Sequence, residues 1–599
     1  MTGSREGWQE RSQGRWRWQI HPDWVTLFEA DDRPRWLELT HDSRARLIKA
    51  NDGREVWAVQ AGEAVLFAKV GRPGRQWARL RRLLFGSDAA RERRIAEYAA
   101  DHQIDTVCPI AIADAPIQGR QPTSIFVTIG LEGAEPLNER WSRLDLSDPG
   151  TRKIKNQIID ATARLIAHAH QNRFEHFDLH AGNVLIQPRS GRYRTLFVDL
   201  HNVRIGRCVS DSAVVRNLAQ FNQWFRRHAL LTDRLRFLDA YLHWRKVLHS
   251  SSAYGRNLGC DKRELLDRLA RAAHKHANAL YTKRDRRIMR TGRYFAQLKL
   301  DHGWRAHVFL TSKHAIPGSR ASQLQFEPRQ WKDWLGDPTQ WVTLADKSKV
   351  VKDSQSASVC RAELALPEGE SLPIIVKRSL PRTFFKKVWN IFCTSRPMRT
   401  WQRANGLLNR QIATACPLAV VERRRFGVRL DSIIVTEYLE NAKDLDTVLT
   451  VSFRELPPRK QRRLKGEIIE SLAQVLRRLH ERGFSHRDLK APNVMVQWDP
   501  DSPAAPRALL IDLDGLKPAR RVSFERQLRA ITRLNVSLDH CKRVTQTDRL
   551  RFLIRYLQRP GHPDPQWKPV WRDIAARSES KRAIRACNQK KMLERYGRF

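Results

Sequence analysis

The chain carries the same motifs twice in the same order, and that duplication limits its possible folds more than any other property. Lys69 and Lys377 each close an apolar, strand-like run, 308 positions apart, and Cys108-Pro109 and Cys416-Pro417 share that offset. His170 and His480, His176 and His486, Asp178 and Asp488, and Asn183 and Asn493 are all 310 apart. Asp199 and Asp512 are 313 apart, and the heptapeptide Thr232 to Leu238 returns letter for letter as Thr547 to Leu553 at 315. An offset that drifts by a few residues without losing order is what a duplicated domain with small loop insertions leaves behind. Two large units are therefore expected, not a solenoid of short repeats, and 599 residues suit more than one domain.

Each half reads alike. A β-rich part ends in the lysine-bearing strand, and a basic helical stretch comes after it, at 79–101 and again at 397–410. Strands are expected at Ile125 to Thr128 and Ser432 to Thr436. Long amphipathic helices are expected at 152–171 and 460–482, where Ile158, Leu165 and Ile166, and Ile468, Leu472, Val475, Leu476 and Leu479, recur at helical spacing. Short strands around Leu185, Leu196, Val494 and Leu509 come next, and helices close each half. The organisation expected is a basic N-terminal segment (1–40), a first domain (41–250), a basic helical linker (251–292), a second domain (293–577) and a basic tail (578–599). The two ends, 1–20 and 578–599, are expected to be mobile.

The chemistry lies at the end of each long helix. In the second half, His486-Arg487-Asp488-Leu489-Lys490-Ala491-Pro492-Asn493 fits the H-R-D-x-x-x-x-N catalytic loop of kinases, and Asp512 lies on the next apolar run. An H-R-D triplet alone arises by chance; the whole loop, the later Asp and the upstream Lys377 together do not. Phosphoryl transfer needs positioning and charge neutralisation more than covalent help. Asp488 is expected to orient an acceptor hydroxyl and take its proton, and Lys490 to reach the transferring phosphate. Asn493 and Asp512 supply hard oxygen ligands suited to Mg²⁺, and Lys377 is expected to hold the phosphates of ATP. As plainer alternatives, Asp488 could cap a turn and Lys377 could lie on the surface. However, Pro373 to Val376 is a buried type of strand, in which a lysine needs a partner. With the element order, the loop predicts an α+β fold of two tandem protein-kinase-like bilobal domains, each with a β-rich N-lobe and a helical C-lobe.

The first half keeps the frame: Lys69, the loop His176-Phe177-Asp178-Leu179-His180-Ala181-Gly182-Asn183, and Asp199. Phe177 stands for Arg487 and His180 for Lys490. Asp178 is the candidate proton acceptor, Asn183 and Asp199 the candidate metal ligands, and Lys69, Asn183 and Glu92 the candidate nucleotide-site residues. This half is either a second working centre or a regulatory pseudokinase. At an offset of 308, Glu92 and Glu97 fall on Thr400 and Asn405, so Lys377 is expected to lack a helical carboxylate partner. Neither half has a glycine-rich loop: the first offers Gly53 within Asn51 to Arg54, and Ser354 to Ser358 contains no glycine.

The charge is far from balanced, with 109 Lys and Arg against 64 Asp and Glu for a net +45. Such a surface attracts polyanions, whether nucleic acid, anionic lipid headgroups or phosphorylated glycolipid. No nucleic-acid motif accompanies the charge, and the 19 Trp are scattered, so a nucleic-acid partner is not favoured. The eight Cys form no C-x-x-C pair and read as buried thiols in a reducing compartment. The N-terminus lacks a signal-peptide pattern, and no apolar run approaches the roughly 20 residues that cross a bilayer. A cytoplasmic location with at most peripheral membrane contact is expected.

The loop His176 to Ile186, the second-half motifs, and Arg399 to Pro417 with Trp401 resemble the lipopolysaccharide core kinase (Kdo/heptose kinase) family, loosely over about 45–245 and more fully over about 345–560. The resemblance implies a protein-kinase-like fold, Mg²⁺ and ATP as cofactors, and a sugar hydroxyl of the lipid A–core glycolipid as acceptor at the inner face of the inner membrane. It carries ATP and metal roles to Lys377, Asp488, Asn493 and Asp512, and to Lys69, Asp178, Asn183 and Asp199. No A-P-E motif comes after Asp512, and helical sequence resumes by about residue 523, which disfavours a conventional protein kinase. The competing readings are an atypical protein kinase and a catalytically dead scaffold binding membrane or nucleic acid.

Overall fold

Alternation between buried and exposed side chains decides where the chain enters its first sheet. Trp16, Trp18 and Ile20 are buried while Arg17 between them is exposed, a period-two pattern that only a half-covered strand satisfies. The computed structural model of the protein describes residues 7–30, 33–51, 53–72, 86–118, 121–144, 149–249, 258–312, 315–336, 338, 350–354, 357–379, 394–425, 428–499, 502, 504–558 and 566–596. These fall into two units, Met1–Asn278 and Ala279–Phe599.

The first unit contains strands β1 (Gln9–Gln13), β2 (Trp16–Ile20), β3 (Ala45–Asn51), β4 (Arg54–Ala61), β5 (Ala64–Gly71), β6 (Pro109–Asp114), β7 (Ser124–Ile129), β8 (Glu135–Pro136), β9 (Phe174–His176), β10 (Val184–Arg189), β11 (Arg192–Phe197) and β12 (Val203–Ile205). The second contains β13 (Phe295–Lys299), β14 (Trp304–Phe309), β15 (Val350–Ser354), β16 (Ala357–Ala365), β17 (Ser371–Ser379), β18 (Pro417–Arg425), β19 (Val428–Glu437), β20 (Ala442–Asp444), β21 (Phe484–His486), β22 (Val494–Gln497), β23 (Arg507–Leu510) and β24 (Leu516–Pro518). The large sheets run β1-β2-β6-β7-β5-β4-β3 and β13-β14-β18-β19-β17-β16-β15, the same order shifted by one set of strands. The small sheets repeat too: β8, β10 and β11 correspond to β20, β22 and β23, and the β9–β12 pair to β21–β24.

The longer helices keep the same plan. In the first unit they are α1 (Asp88–Asp101), α2 (Pro149–Gln171), α3 (Asp211–His228), α4 (Leu231–His249) and α5 (Lys262–Arg287). In the second they are α6 (Arg396–Asn409), α7 (Pro458–Glu481), α8 (Phe524–Ser537), α9 (Gln546–Leu557) and α10 (Trp567–Tyr596). Separate apolar cores fill the sheet lobe and the helical lobe of each unit, which makes both bilobal. The α+β, tandem kinase-like architecture is thus present in full.

α7 shows why the central helices form where they do. Pro458 opens it at a position where a missing N–H costs nothing, and Leu464, Ile468, Leu472, Val475, Leu476 and Leu479 line its buried face. It stops at Gly483, which has a φ of +79° and where an added Cβ would run into the Ala519 carbonyl oxygen, so no side chain fits. The chain then turns into β21 and the catalytic loop. The repeated heptapeptide has a packing reason. Asp233 on α4 and Asp548 on α9 are both buried, and each meets a lysine of the central helix at 2.8 Å, Lys155 and Lys465 respectively.

Several expectations drawn from composition need correction. Residues 9–20 are not a mobile basic segment but the two outer strands of the first sheet, held there by the tryptophans. Within 251–292, Leu265, Ala273 and Ala277 of α5 are buried, so much of that stretch is domain, not linker, and the boundary between the units falls inside this helix. Residues 578–596 continue α10, with Ser578 buried against Asn535. Cys108 and Cys587 are exposed, so burial holds for Cys360, Cys416 and Cys541 but not for all the thiols; Cys393 lies outside the described residues. Of the helix expected at 79–101, the described part begins at Asp88.

Candidate active site

In the second unit, the turn after β21 and the strand pair β22–β23 bring the expected residues together. The Asp488 N–H donates to His486 Nδ1 at 3.2 Å, and Arg487 N–H donates to the Gly515 carbonyl at 2.8 Å, which fixes the loop. Asn493 donates from Nδ2 to the Asp488 carbonyl at 2.8 Å and to Asp488 Oδ2 at 3.3 Å. Lys490 Nζ lies 3.0 Å from Asp488 Oδ2. The Ile511 N–H donates to the Asn493 carbonyl at 3.0 Å, so Asp512 starts beside Asn493. Asp512 itself has a left-handed backbone (φ 51°), which turns its carboxylate out of the strand direction and towards Lys377, whose Nζ is 3.1 Å from Oδ1. Asp488, Lys490, Asn493, Asp512 and Lys377 are therefore linked in one cluster by direct contacts and by the backbone bond from Ile511 to Asn493.

One detail differs from the sequence-based expectation: Lys377 is not a buried lysine, its side chain being 40% exposed. As expected, no helical carboxylate among the described residues pairs with it, and its partner is Asp512. Helix α6 reaches the site through arginines instead. Arg403 donates to the Leu513 and Asp514 carbonyls at 3.0 and 2.9 Å, and Arg396 lies 3.5 Å from Asp514. Burial alone would raise the Asp512 carboxyl, but the charge and hydrogen bond of Lys377, with His486 and Lys490, hold it below the ordinary carboxylate range.

The oxygens left over suit a divalent cation. The Asn493 amide nitrogen is turned to Asp488, which leaves Oδ1, and Asp512 keeps Oδ2; neither receives a hydrogen bond from a described residue. Two hard oxygens with the remaining positions open to phosphate and water are what Mg²⁺ accepts. The second unit fits the ion.

The first unit does not. Lys69 Nζ meets Glu92 Oε2 at 2.7 Å, the expected strand–helix pair, and also Asp199 Oδ1 at 3.3 Å. Arg54, at the start of β4, sends its guanidinium between the two carboxylates, 2.8 Å from Asp199 Oδ1 and 3.4 Å from Glu92 Oε1. His201 Nδ1 lies 2.9 Å from the same Asp199 oxygen. Burial would raise the Asp199 carboxyl, but His201, Lys69 and Arg54 press it far below the usual range. Glu92, Asp199 and His201 stand close enough together to suggest a metal cluster, yet Arg54 already supplies the positive charge there. Asn183 donates to the Asp178 carbonyl at 2.9 Å, so the loop frame is intact while an arginine sits on the carboxylate expected to ligate metal.

Sequence patterns alone do not single out Arg54, because its neighbour Gly53 is the residue type expected of a phosphate loop. The signal lies in strand register: Arg54 pairs with Gly71 as Ala357 pairs with Ser379, so an arginine in one unit replaces an alanine in the other. The turn between β15 and β16 includes Gln355 and Ser356, which lie outside the described residues.

A bilobal α+β unit that brings together a loop carboxylate, a metal-competent Asn/Asp pair and a strand lysine defines a kinase. The lipopolysaccharide kinase (Kdo/WaaP) family model matches residues 41–241 and 344–556. The chain belongs to that family, and as a kinase it uses ATP. Solved structures similar to it include "WaaP in complex with acyl carrier protein" (18% identity, TM-score 0.32, covering 43% of this chain and 97% of that one). Another is "Glucosamine kinase in complex with glucosamine, ADP and inorganic phosphate" (16% identity, TM-score 0.25, 46% and 86% covered). No curated protein matches. Among the described residues no helix is long and apolar enough to cross a membrane.

Proposed function

We propose that the second unit transfers the γ-phosphoryl group of ATP to a hydroxyl of a lipopolysaccharide core sugar or a related anionic glycolipid, and that the first unit does not turn over. The observation that carries this reading is the contrast between the clefts: Asn493 and Asp512 retain free oxygens, whereas Asp199 is enclosed by Arg54, Lys69 and His201.

In the second unit, Asp488 accepts the proton of the acceptor hydroxyl as its oxygen bonds to the γ-phosphorus. The bond from that phosphorus to the bridging oxygen breaks, and ADP leaves. Lys490, already at Asp488, is placed to neutralise charge on the transferring group, and Lys377 steadies the phosphates. Asn493 and Asp512 would hold Mg²⁺, which would supply neutralisation of phosphate charge there. Lys490 Nζ lies 3.0 Å from the Asp488 carboxylate that takes the proton.

The short connection after Asp512 supports the acceptor class. Ser523 already caps α8, so the chain has little length for the extended segment that presents a peptide to a protein kinase. The net charge of +45 suits an acceptor on an anionic surface facing the cytoplasm, with peripheral contact at the inner membrane. The test is transfer from labelled ATP to deacylated lipopolysaccharide core by the purified chain, together with mass spectrometry of lipopolysaccharide from a deletion strain. Loss of one phosphate from the core in that strain is expected. An unchanged glycolipid, with label on protein substrates instead, would overturn the reading.

A further inference from the structure

Helix α10 lies beyond the residues that the family model matches, which end at 556, yet one of its faces stands over the catalytic loop. α10 is anchored at several points. Ser578 meets Asn535 at 2.9 Å, Arg577 holds both oxygens of Glu525 at 2.7 Å, and Arg582 donates to both oxygens of Asp539 at 2.8 and 2.9 Å. These contacts all fall on α8 and the turn after it, so the next turns of α10 are held in place beside Asp488. Between them lies a cleft of about 610 Å³, walled by Asp488, Lys490, Arg533, Lys581, Ile584 and Arg585.

The charges in this cleft do not balance. Asp488 is its only lining carboxylate among the described residues, and it is already met by Lys490. Among the described residues none of Arg533, Lys581 and Arg585 is in an ion pair, although arginines elsewhere on the same helix are. Burial, and then the neighbouring charge of Arg533, lower the Lys581 ammonium below its ordinary value. Cations crowded together without counter-ions cost stability, and a ligand anion removes the cost. The apolar patch of Leu489, Val536 and exposed Ile584 alongside them offers a surface for the carbon face of a sugar ring.

We propose that α10 forms the acceptor wall of the second unit, where Arg533, Lys581 and Arg585 bind an anionic substituent, carboxylate or phosphate, on the acceptor whose hydroxyl Asp488 activates. The inference rests on the phosphoryl-transfer reading of Asp488 and Lys490, which the two sites share, and adds to it the charge of the acceptor and the residues that select it. The first unit has a counterpart that fits this reading. His276 on α5 feels the charge of Asp178 as Lys581 on α10 feels that of Asp488, and the imidazole there is pushed towards its neutral form by burial.

The test is calorimetric binding to the full chain, in the presence of Mg²⁺ and a non-hydrolysable ATP analogue. The probe is deacylated lipopolysaccharide core oligosaccharide, used untreated, phosphatase-treated, carboxyl-reduced, or treated both ways. Binding of the untreated probe is expected to weaken at least tenfold after both treatments, and whichever single treatment reproduces most of that loss identifies the anion. The triple variant Arg533→Ala, Lys581→Ala, Arg585→Ala should bind charged and neutralised probes alike, while its affinity for a fluorescent ATP analogue, read separately, shows that it is folded. Lys581→Arg in the wild-type background should keep the discrimination. Equal binding of untreated and neutralised probes, no binding of the untreated probe, or a triple variant that discriminates as well as wild type overturns the proposal. Transfer of label from ATP is scored independently, so a chain that phosphorylates sugar without charge discrimination loses only this inference. A chain that transfers to no sugar loses the reading on which it rests.

Discussion

Arg54 Nη1 lies 2.8 Å from Asp199 Oδ1, where a kinase would place its metal, and the equivalent register position in the second unit is Ala357. The substitution Ala357→Arg should therefore copy the first cleft into the second. A hydrogen bond to a charged group is worth about 1.5–3 kcal/mol, so an arginine competing for Asp512 should weaken Mg·ATP binding roughly 10- to 150-fold. The converse substitution, Arg54→Ala, should let the first cleft take a divalent ion. Mn²⁺ binding followed by electron paramagnetic resonance, in a background with Asp512→Ala, would register the new site. No gain of Mn²⁺ would mean that Lys69 and His201 suffice to exclude the ion.

Buried histidines make the fold sensitive to mild acid. His480 is 4% exposed, and its Nδ1 meets the Tyr556 hydroxyl at 2.8 Å while that hydroxyl donates to Gln527. The Nδ1 must then carry the proton, and Nε2 is left buried without a partner among the described residues. Burial lowers the imidazole from 6.5 to about 4. The unfolded chain takes up the proton near pH 6.5 and the folded chain only near 4, so the stabilisation is complete above 6.5 and falls away as pH drops through that window. One such group accounts for roughly 3 kcal/mol over the window. Urea denaturation between pH 7 and 4.5 should show this loss, and His480→Phe should flatten it.

The repeated heptapeptide makes a separate expectation. Asp548 is 6% exposed and meets Lys465 at 2.8 Å, while its own carboxylate also receives the Thr545 N–H and hydroxyl. Removing one member of a buried pair strands the other, at a cost of about 3–5 kcal/mol, less here because Lys465 is 21% exposed. Lys465→Met should lower the midpoint of thermal unfolding by several degrees. The double variant Lys465→Met, Asp548→Leu should recover part of that loss, which a merely local packing defect would not do.

Motifs tied to covalent order were legible in the sequence, and features tied to charge were not. The duplication, the catalytic loop and the amphipathic helices are recorded in spacing, which survives as offsets of 308 to 315 between the halves. Basic composition gave the wrong account of residues 9–20, because three alternating buried side chains outweigh the charges between them in placing a strand. The same bias made 578–599 a mobile tail, whereas Arg582 within it is held by Asp539. Arg54 was invisible for another reason. Its meaning depends on a carboxylate 145 positions away, and only the sheet register shows that its counterpart is an alanine.

Turnover in one unit alone depends on Asp488 and is tested through it. Asp488→Ala removes the carboxylate that takes the hydroxyl proton, a contribution of about 10²–10⁴ in kcat for a positioned general base. Binding of ATP should survive, because Lys377, Asn493 and Asp512 remain, although Asn493 loses its 3.3 Å contact to the carboxylate and gains some freedom. Asp488→Asn should be nearly as damaging, since it preserves shape but cannot accept the proton. Asp178→Ala, by contrast, alters a cleft whose metal position is filled by Arg54, and should leave most of the turnover in place. Single-turnover phosphoryl transfer measured for the three variants, beside equilibrium nucleotide binding, separates the cases. If Asp178→Ala proves as inactive as Asp488→Ala, with ATP affinity intact in both, the first unit takes part in the chemistry and the division of labour drawn from Arg54 is wrong.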